Sequence, residues 1–124
     1  MTDFLDLDDL LTIAERVLGA APAVRDYGLL EASAARPRAS AFGADAYPDL
    51  DLKAAALLQS LVANHALVDG NKRLGWVACR LFYALNGEGL GAETQQAVDL
   101  VMAIAEGTVW DVARIAETLR SWRA

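Results

Sequence analysis

Nine consecutive residues, His65 to Arg73 (His-Ala-Leu-Val-Asp-Gly-Asn-Lys-Arg), combine an imidazole, a carboxylate, a glycine, an amide and two cations. His65 is the chain's one histidine. Imidazole changes charge near neutral pH, so it suits a general base. Asp69 offers a hard oxygen of the kind that holds magnesium on nucleotide phosphates, where one or two carboxylates suffice. Gly70 permits unusual dihedrals and close backbone approach. Asn71 can cap a helix or donate to a phosphate oxygen, and Lys72 and Arg73 place two cations in the next turn. Phosphoryl transfer needs that set, because its catalysis is mostly positioning and charge neutralisation.

Each residue also has a plain structural reading. A histidine near a helix end often caps, Asp-Gly is a common turn pair, and Lys-Arg is usually a solvated helix face. Leu67 reads as a core anchor that holds the segment down. The combination is more informative than its parts. The first amides of a helix lack intrahelical partners and, with the helix dipole, favour an anion. Cations in that first turn oppose the dipole unless an anion lies between them.

The segment therefore needs a helix on each side. An Ala- and Leu-rich helix is expected from about Asp51 to Asn64, capped by Asp49 or Asp51. Another is expected from Asn71 to Asn86, with Leu74, Val77, Ala78, Leu81 and Leu85 as its apolar stripe and Gly87 as its stop. A first helix is predicted over Asp6–Leu18, ended by Gly19 and Pro22, and a short second over Tyr27–Ala35. Residues Arg36 to Pro48 carry two prolines, a glycine and two aromatics and no helical stripe, so they read as a loop or small β-hairpin. A fifth helix spans about Glu93–Glu106. The sixth is placed from Thr108, paired with Asp111 in a capping-box pattern, to near Arg123. The expectation is an all-α domain of about six helices and one hairpin, spanning residues 1–124 as a single unit.

Composition limits the function classes. The net charge is −6, which argues against general nucleic-acid binding. The charge is uneven: residues 1–51 hold ten acids against four bases, whereas residues 53–86 hold Lys53, Lys72, Arg73 and Arg80 against Asp69 alone. A basic centre in an acidic protein suits a small anionic ligand. No run approaches the ~20 apolar residues of a membrane span. The acidic N-terminus does not read as a signal peptide, and the single cysteine, Cys79, allows no internal disulfide. A cytoplasmic protein is the simplest expectation. Trp76, Trp110 and Trp122 read as core or partner-facing packing, Cys79 as a buried small hydrophobe, and Leu119–Arg123 as a partner surface or a frayed end.

The nine-residue segment resembles the Fic/Doc signature, His-x-Phe-x-Asp/Glu-Gly-Asn-Gly/Lys-Arg. His65, Asp69, Gly70, Asn71 and Arg73 match it, and Leu67 stands where Phe is usual. Lys72 is the discriminating position. Typical Fic proteins carry Gly there and move AMP onto a target hydroxyl, whereas Doc-type toxins carry Lys and act as kinases. The longer Fic signature has a second Arg three residues on, where this chain has Trp76. Both departures favour the Doc branch. Tyr27-Gly28-Leu29-Leu30 and the Arg36–Pro48 segment also look like Doc.

The resemblance implies a toxin of a toxin–antitoxin system that uses ATP and Mg2+ to phosphorylate a Ser/Thr hydroxyl, on elongation factor Tu, and so halts translation. It implies His65 as base, Asp69 as metal ligand, Gly70, Asn71 and Lys72 as the anion pocket, and Arg73 on phosphate charge. The Arg36–Pro48 segment would be a flap that aligns the target by strand addition. The partner would be a Phd-like antitoxin whose disordered C-terminal part folds on binding. An internal inhibitory motif, Ser/Thr-x-x-x-Glu-Gly/Asn, is not found, since Ala84 and Met102 occupy the hydroxyl position before Glu88-Gly89 and Glu106-Gly107. Inhibition in trans is therefore expected. The alternatives are a Fic-type AMP transferase and a catalytically inactive domain that binds a nucleotide or a partner.

Overall fold

Aspartate side chains open four of the six helices in the computed structural model, which describes residues 1–124. Asp6 caps α1 (Leu7–Leu18), Asp26 caps α2 (Tyr27–Ala35), Asp49 caps α3 (Leu50–Ala63) and Asp111 caps α6 (Val112–Ser121). Each accepts from a backbone N–H of the first turn, which fills one of the orphan donors there. The other two helices start differently. α5 (Thr94–Glu106) follows Glu93, whose N–H donates to the Gln96 side chain, and α4 (Asn71–Leu85) follows Gly70 with no side-chain cap at all.

The all-α expectation holds, with one small antiparallel hairpin of β1 (Ser40–Ala41) and β2 (Ala44–Asp45). Phe42 and Gly43 form its two-residue turn, both at positive φ. Two expectations need correction. The sixth helix does not begin at Thr108, because Asp111 itself is the cap and turns the chain into Val112; the helix ends at Ser121 rather than near Arg123. The stretch before the hairpin is not plain loop, because Arg36–Arg38 makes a short 3-10 turn with Pro37 buried beneath it.

α3 is the central element. Eleven of its fourteen residues are buried, and α4 and α6 are its main neighbours. Alanines Ala54, Ala55 and Ala56 let the neighbours approach closely, and Gly75 does the same from α4. A Cβ on Gly75 would stand 2.8 Å from Val62 Cγ2. The core is continuous, built from Leu57, Leu58, Leu61, Leu74, Phe82 and Ile115 among others. Cys79 is wholly buried in it, as expected, and burial pushes its thiol well above the ordinary range.

One polar knot sits inside this apolar packing. Asp51, in the first turn of α3, is 3% exposed. It accepts from the Tyr83 hydroxyl (2.6 Å), Arg120 Nε (3.1 Å) and Arg123 Nη1 (3.3 Å). The C-terminal residues are not frayed. Leu90 and Arg123 form an antiparallel bridge, and Ala124 N donates to Gly89 O.

Candidate functional site

The segment between α3 and α4 is held by its backbone. Asn64 closes α3 in a right-handed conformation and His65 turns at φ 53, a left-handed value uncommon for a residue with a side chain. Ala66 and Leu67 then drop into the core, both nearly inaccessible. Leu67 pairs with Val24 in an isolated antiparallel bridge. Ala66 O accepts from Arg25 N and Asp26 N, and Val68 N donates to Ala23 O. The anchoring role expected of Leu67 is what the structure has.

The Asn71 side chain completes this clamp. Its Oδ1 accepts from Leu67 N at 3.0 Å and its Nδ2 donates to Leu67 O at 2.9 Å. The amide thus mimics a paired strand for one residue. Asn71 was expected to cap the helix or to donate to phosphate. The cap position is instead Gly70, and both polar atoms of the Asn71 side chain are already engaged. Its backbone N–H is what it offers an anion.

Gly70 explains how the helix can open without a cap. It sits at φ 92, and a Cβ there would lie 2.6 Å from Leu18 Cδ2. The dihedral favours glycine, and a Cβ would also force the end of the Leu18 side chain to move. The N–H groups of Asn71, Lys72 and Arg73 make no hydrogen bond within the chain, and the first closed turn is Leu74 N to Gly70 O. Three amides at the positive end of a 15-residue helix therefore face outward. Lys72 and Arg73 are exposed and form no ion pair; Arg73 reaches only the Val17 carbonyl, at 3.5 Å.

His65, Asp69, Gly70, Asn71, Lys72 and Arg73 all line one cleft of about 670 Å³. The opposite wall is Leu18 to Ala23, the connector after α1. That wall was missed from sequence, where Gly19 and Pro22 were read only as a helix stop. The His65 imidazole is exposed and makes no hydrogen bond in the chain, so it is open to a substrate hydroxyl. Asp69 is the cleft's one carboxylate, with Oδ1 accepting from Gly70 N at 2.9 Å. No group of three or more His, Cys, Asp or Glu side chains gathers anywhere. That donor set does not suit an all-protein metal cage. It fits a magnesium that takes one carboxylate and otherwise phosphate and water.

Lys53, counted in the basic centre, is not in the cleft. It is 4% exposed, pairs with Asp45 of β2 at 3.2 Å and also donates to the Tyr47 carbonyl. Arg36 works beside it. Its Nε donates to the Tyr47 hydroxyl, and its Nη1 reaches Gln59 and Ser60 of α3. The hairpin is thus tied to α3 by two cations. A shallow groove lined by Arg36, Ala39, Ser60 and Asn64 connects the hairpin's base to the residue preceding His65.

Comparison with known proteins agrees with this geometry. A model of the Fic/DOC family matches residues 4–83. A protein named Toxin Doc, from Mycolicibacterium smegmatis, is 52% identical over 107 residues, which is 85% of this chain and 82% of that protein.

Proposed function

The chain belongs to the Fic/DOC family, and from that premise we propose that it is a Doc-like toxin of a toxin–antitoxin system, acting as an ATP-dependent protein kinase on elongation factor Tu. Members of this family transfer phosphate or AMP onto proteins. Lys72 favours the kinase branch over AMP transfer, and the observation that supports phosphate handling is the uncapped first turn of α4. Its three free amides and two unpaired cations border the same cleft as an exposed imidazole.

In this reading the amides of Asn71, Lys72 and Arg73 hold phosphate oxygens, and the Lys72 and Arg73 side chains neutralise the charge that shifts during transfer. His65 accepts the proton of the target Ser/Thr hydroxyl as its oxygen bonds to the γ-phosphorus of ATP, the bond from that phosphorus to the β–γ bridging oxygen breaks, and ADP leaves. Asp69 would hold a magnesium ion, which when bound would offset phosphate charge. The Asn71–Leu67 clamp fixes the spacing between base and helix start, which is the positioning that phosphoryl transfer depends on. The hairpin, tied to α3, aligns the target segment. The partner is a Phd-like antitoxin, acting in trans.

The test is the intact mass of elongation factor Tu after incubation with the protein, ATP and magnesium, beside a His65→Ala control. One added phosphate, absent in the control, is the expected result. One added AMP would instead make the chain an AMP transferase. An unchanged mass would count against this target.

A further inference from the structure

α1, α4 and α5 leave their last turns through Gly19, Gly87 and Gly107, at φ 77, 79 and 77. Glycine is the usual choice there, because a Cβ is penalised in the left-handed region. α3 leaves through His65 instead, at φ 53. The order of residues runs against local preference. Asn64, of a type that tolerates the left-handed region, is right-handed at φ −77 and ψ −15, and the histidine takes the left-handed place. Such a conformation persists only where the surroundings over-determine it. Both neighbours of His65 are fixed, and by the same helix. On one side Ala66 O accepts from Arg25 N at 2.7 Å and from the N–H of Asp26, the cap of α2, at 3.1 Å. On the other, Asn64 Nδ2 donates to Ser33 Oγ of α2 at 3.2 Å, and Ser33 Oγ donates to Leu29 O at 3.0 Å. The imidazole between them is exposed and lines the cleft.

We propose that Ser33 and Asn64 are a positioning pair for His65: the buried hydroxyl holds the Asn64 amide, which keeps His65 in its left-handed turn and aims the imidazole into the cleft. The inference rests on the reading of His65 as the base and adds what sets its place. The chemistry of the contact is directional. Leu29 O can only accept, so the Ser33 proton points to it, and the hydroxyl lone pair takes an N–H from Asn64. An amide supplies that N–H; alanine does not. Ser33 is fully buried in the interior of α2, where alanine is the better helix former, and its hydroxyl reaches only its own helix and Asn64. Neither side chain lines the cleft, so the pair acts on transfer through His65 and not on the nucleotide. A displacement of about 1 Å at a reacting group can cost about a hundredfold in rate, which is the scale on which such a pair matters.

The experiment compares the wild-type chain with Ser33→Ala, Asn64→Ala and the double variant, with near-UV circular dichroism to verify that each is folded. Ser33→Ala removes one oxygen from a helix that accepts alanine, and it decides alone should Asn64→Ala not fold. His65 is the chain's one histidine, so its resonances stand by themselves in an NMR spectrum of histidine-labelled protein. The expected result is a His65 Cα shift that leaves the left-handed value in every variant. Transfer to elongation factor Tu should fall about tenfold or more in kcat, with KM for ATP unchanged. The double variant should lose no more than the worse single one, because both act through one hydrogen bond. A His65 Cα shift that stays at the left-handed value in the folded variants would overturn the inference. So would a raised KM for ATP at unchanged kcat, or single losses that multiply in the double variant. A wild type that leaves elongation factor Tu unmodified would count against the target reading alone, and the His65 shift would then decide the inference.

Discussion

Gly70 and Asn71 decide whether the cleft exists. A side chain at Gly70 meets two penalties at once, a left-handed φ of 92 and a contact of 2.6 Å with Leu18. The dihedral alone costs about 1–2 kcal/mol. Gly70→Ala is therefore expected to lower stability to urea by at least that much and to push Leu18 out of the cleft wall. Asn71→Asp isolates the clamp. The carboxylate can still accept from Leu67 N–H but cannot donate to Leu67 O, and it sets oxygen against oxygen. A loss of about 1–3 kcal/mol in urea unfolding is expected; a variant as stable as wild type would show that the clamp contributes nothing. Cys79 offers a simple check of the core. Burial raises its thiol pKa, so a thiol reagent at neutral pH should leave it intact in the native chain and label it once denaturant is added.

At the scale of elements, most of the fold was legible because its signals are local. Asp6, Asp26 and Asp49 sit where a cap accepts from the first turn, and apolar spacing follows them. Thr108 and Asp111 show the limit, since either could open α6 and only tertiary placement decides. The candidate residues His65 and Asp69 to Arg73 could be picked out as a group because they are contiguous in sequence, and they line one cleft. Its opposite wall at Leu18–Ala23 was not legible, because nothing local says that this connector returns to pair with residues 66–68. Lys53 was misplaced for the same reason: a formal charge count cannot tell a buried, paired ammonium from a free one. That pairing carries a prediction. Removing Asp45 by substitution to Ala leaves Lys53 with only a carbonyl in its buried setting, and a buried ammonium without its anion is costly. Amide hydrogen exchange across residues 40–47 should quicken, while exchange in α3 stays unchanged.

Across the whole molecule, the candidate site segment hangs from the most buried helix. α3 ends at Ala63, two residues before His65, and its far end is fixed by Asp51 to α4 and to the C-terminal residues. Burial first, then the Asp51 hydrogen bond, holds the Tyr83 phenol above its ordinary range. The folded-state pKa is raised, so this contribution is fully present below the unfolded value of about 10 and is lost as pH rises beyond it. Tyr83→Phe should cost about 0.5–1.5 kcal/mol at neutral pH and should flatten the alkaline end of the stability profile.

The same scaffold predicts how the molecule answers a nucleotide. The α4 amides and the cations Lys72 and Arg73 are prepared in the free chain, so binding needs little rearrangement and its free energy adds to stability by mass action. ATP with magnesium at about a hundred times its dissociation constant should stabilise the fold by about 2.7 kcal/mol. In a chain of this size that is a rise of several degrees in Tm. His65→Ala should show the same rise, because the imidazole is assigned to the hydroxyl and not to the nucleotide. A joint Lys72→Ala and Arg73→Ala variant should lose most of it. If His65→Ala abolished the rise while the double variant kept it, the roles given to base and cations would be reversed, and thermal shift alone would reveal it without any target protein.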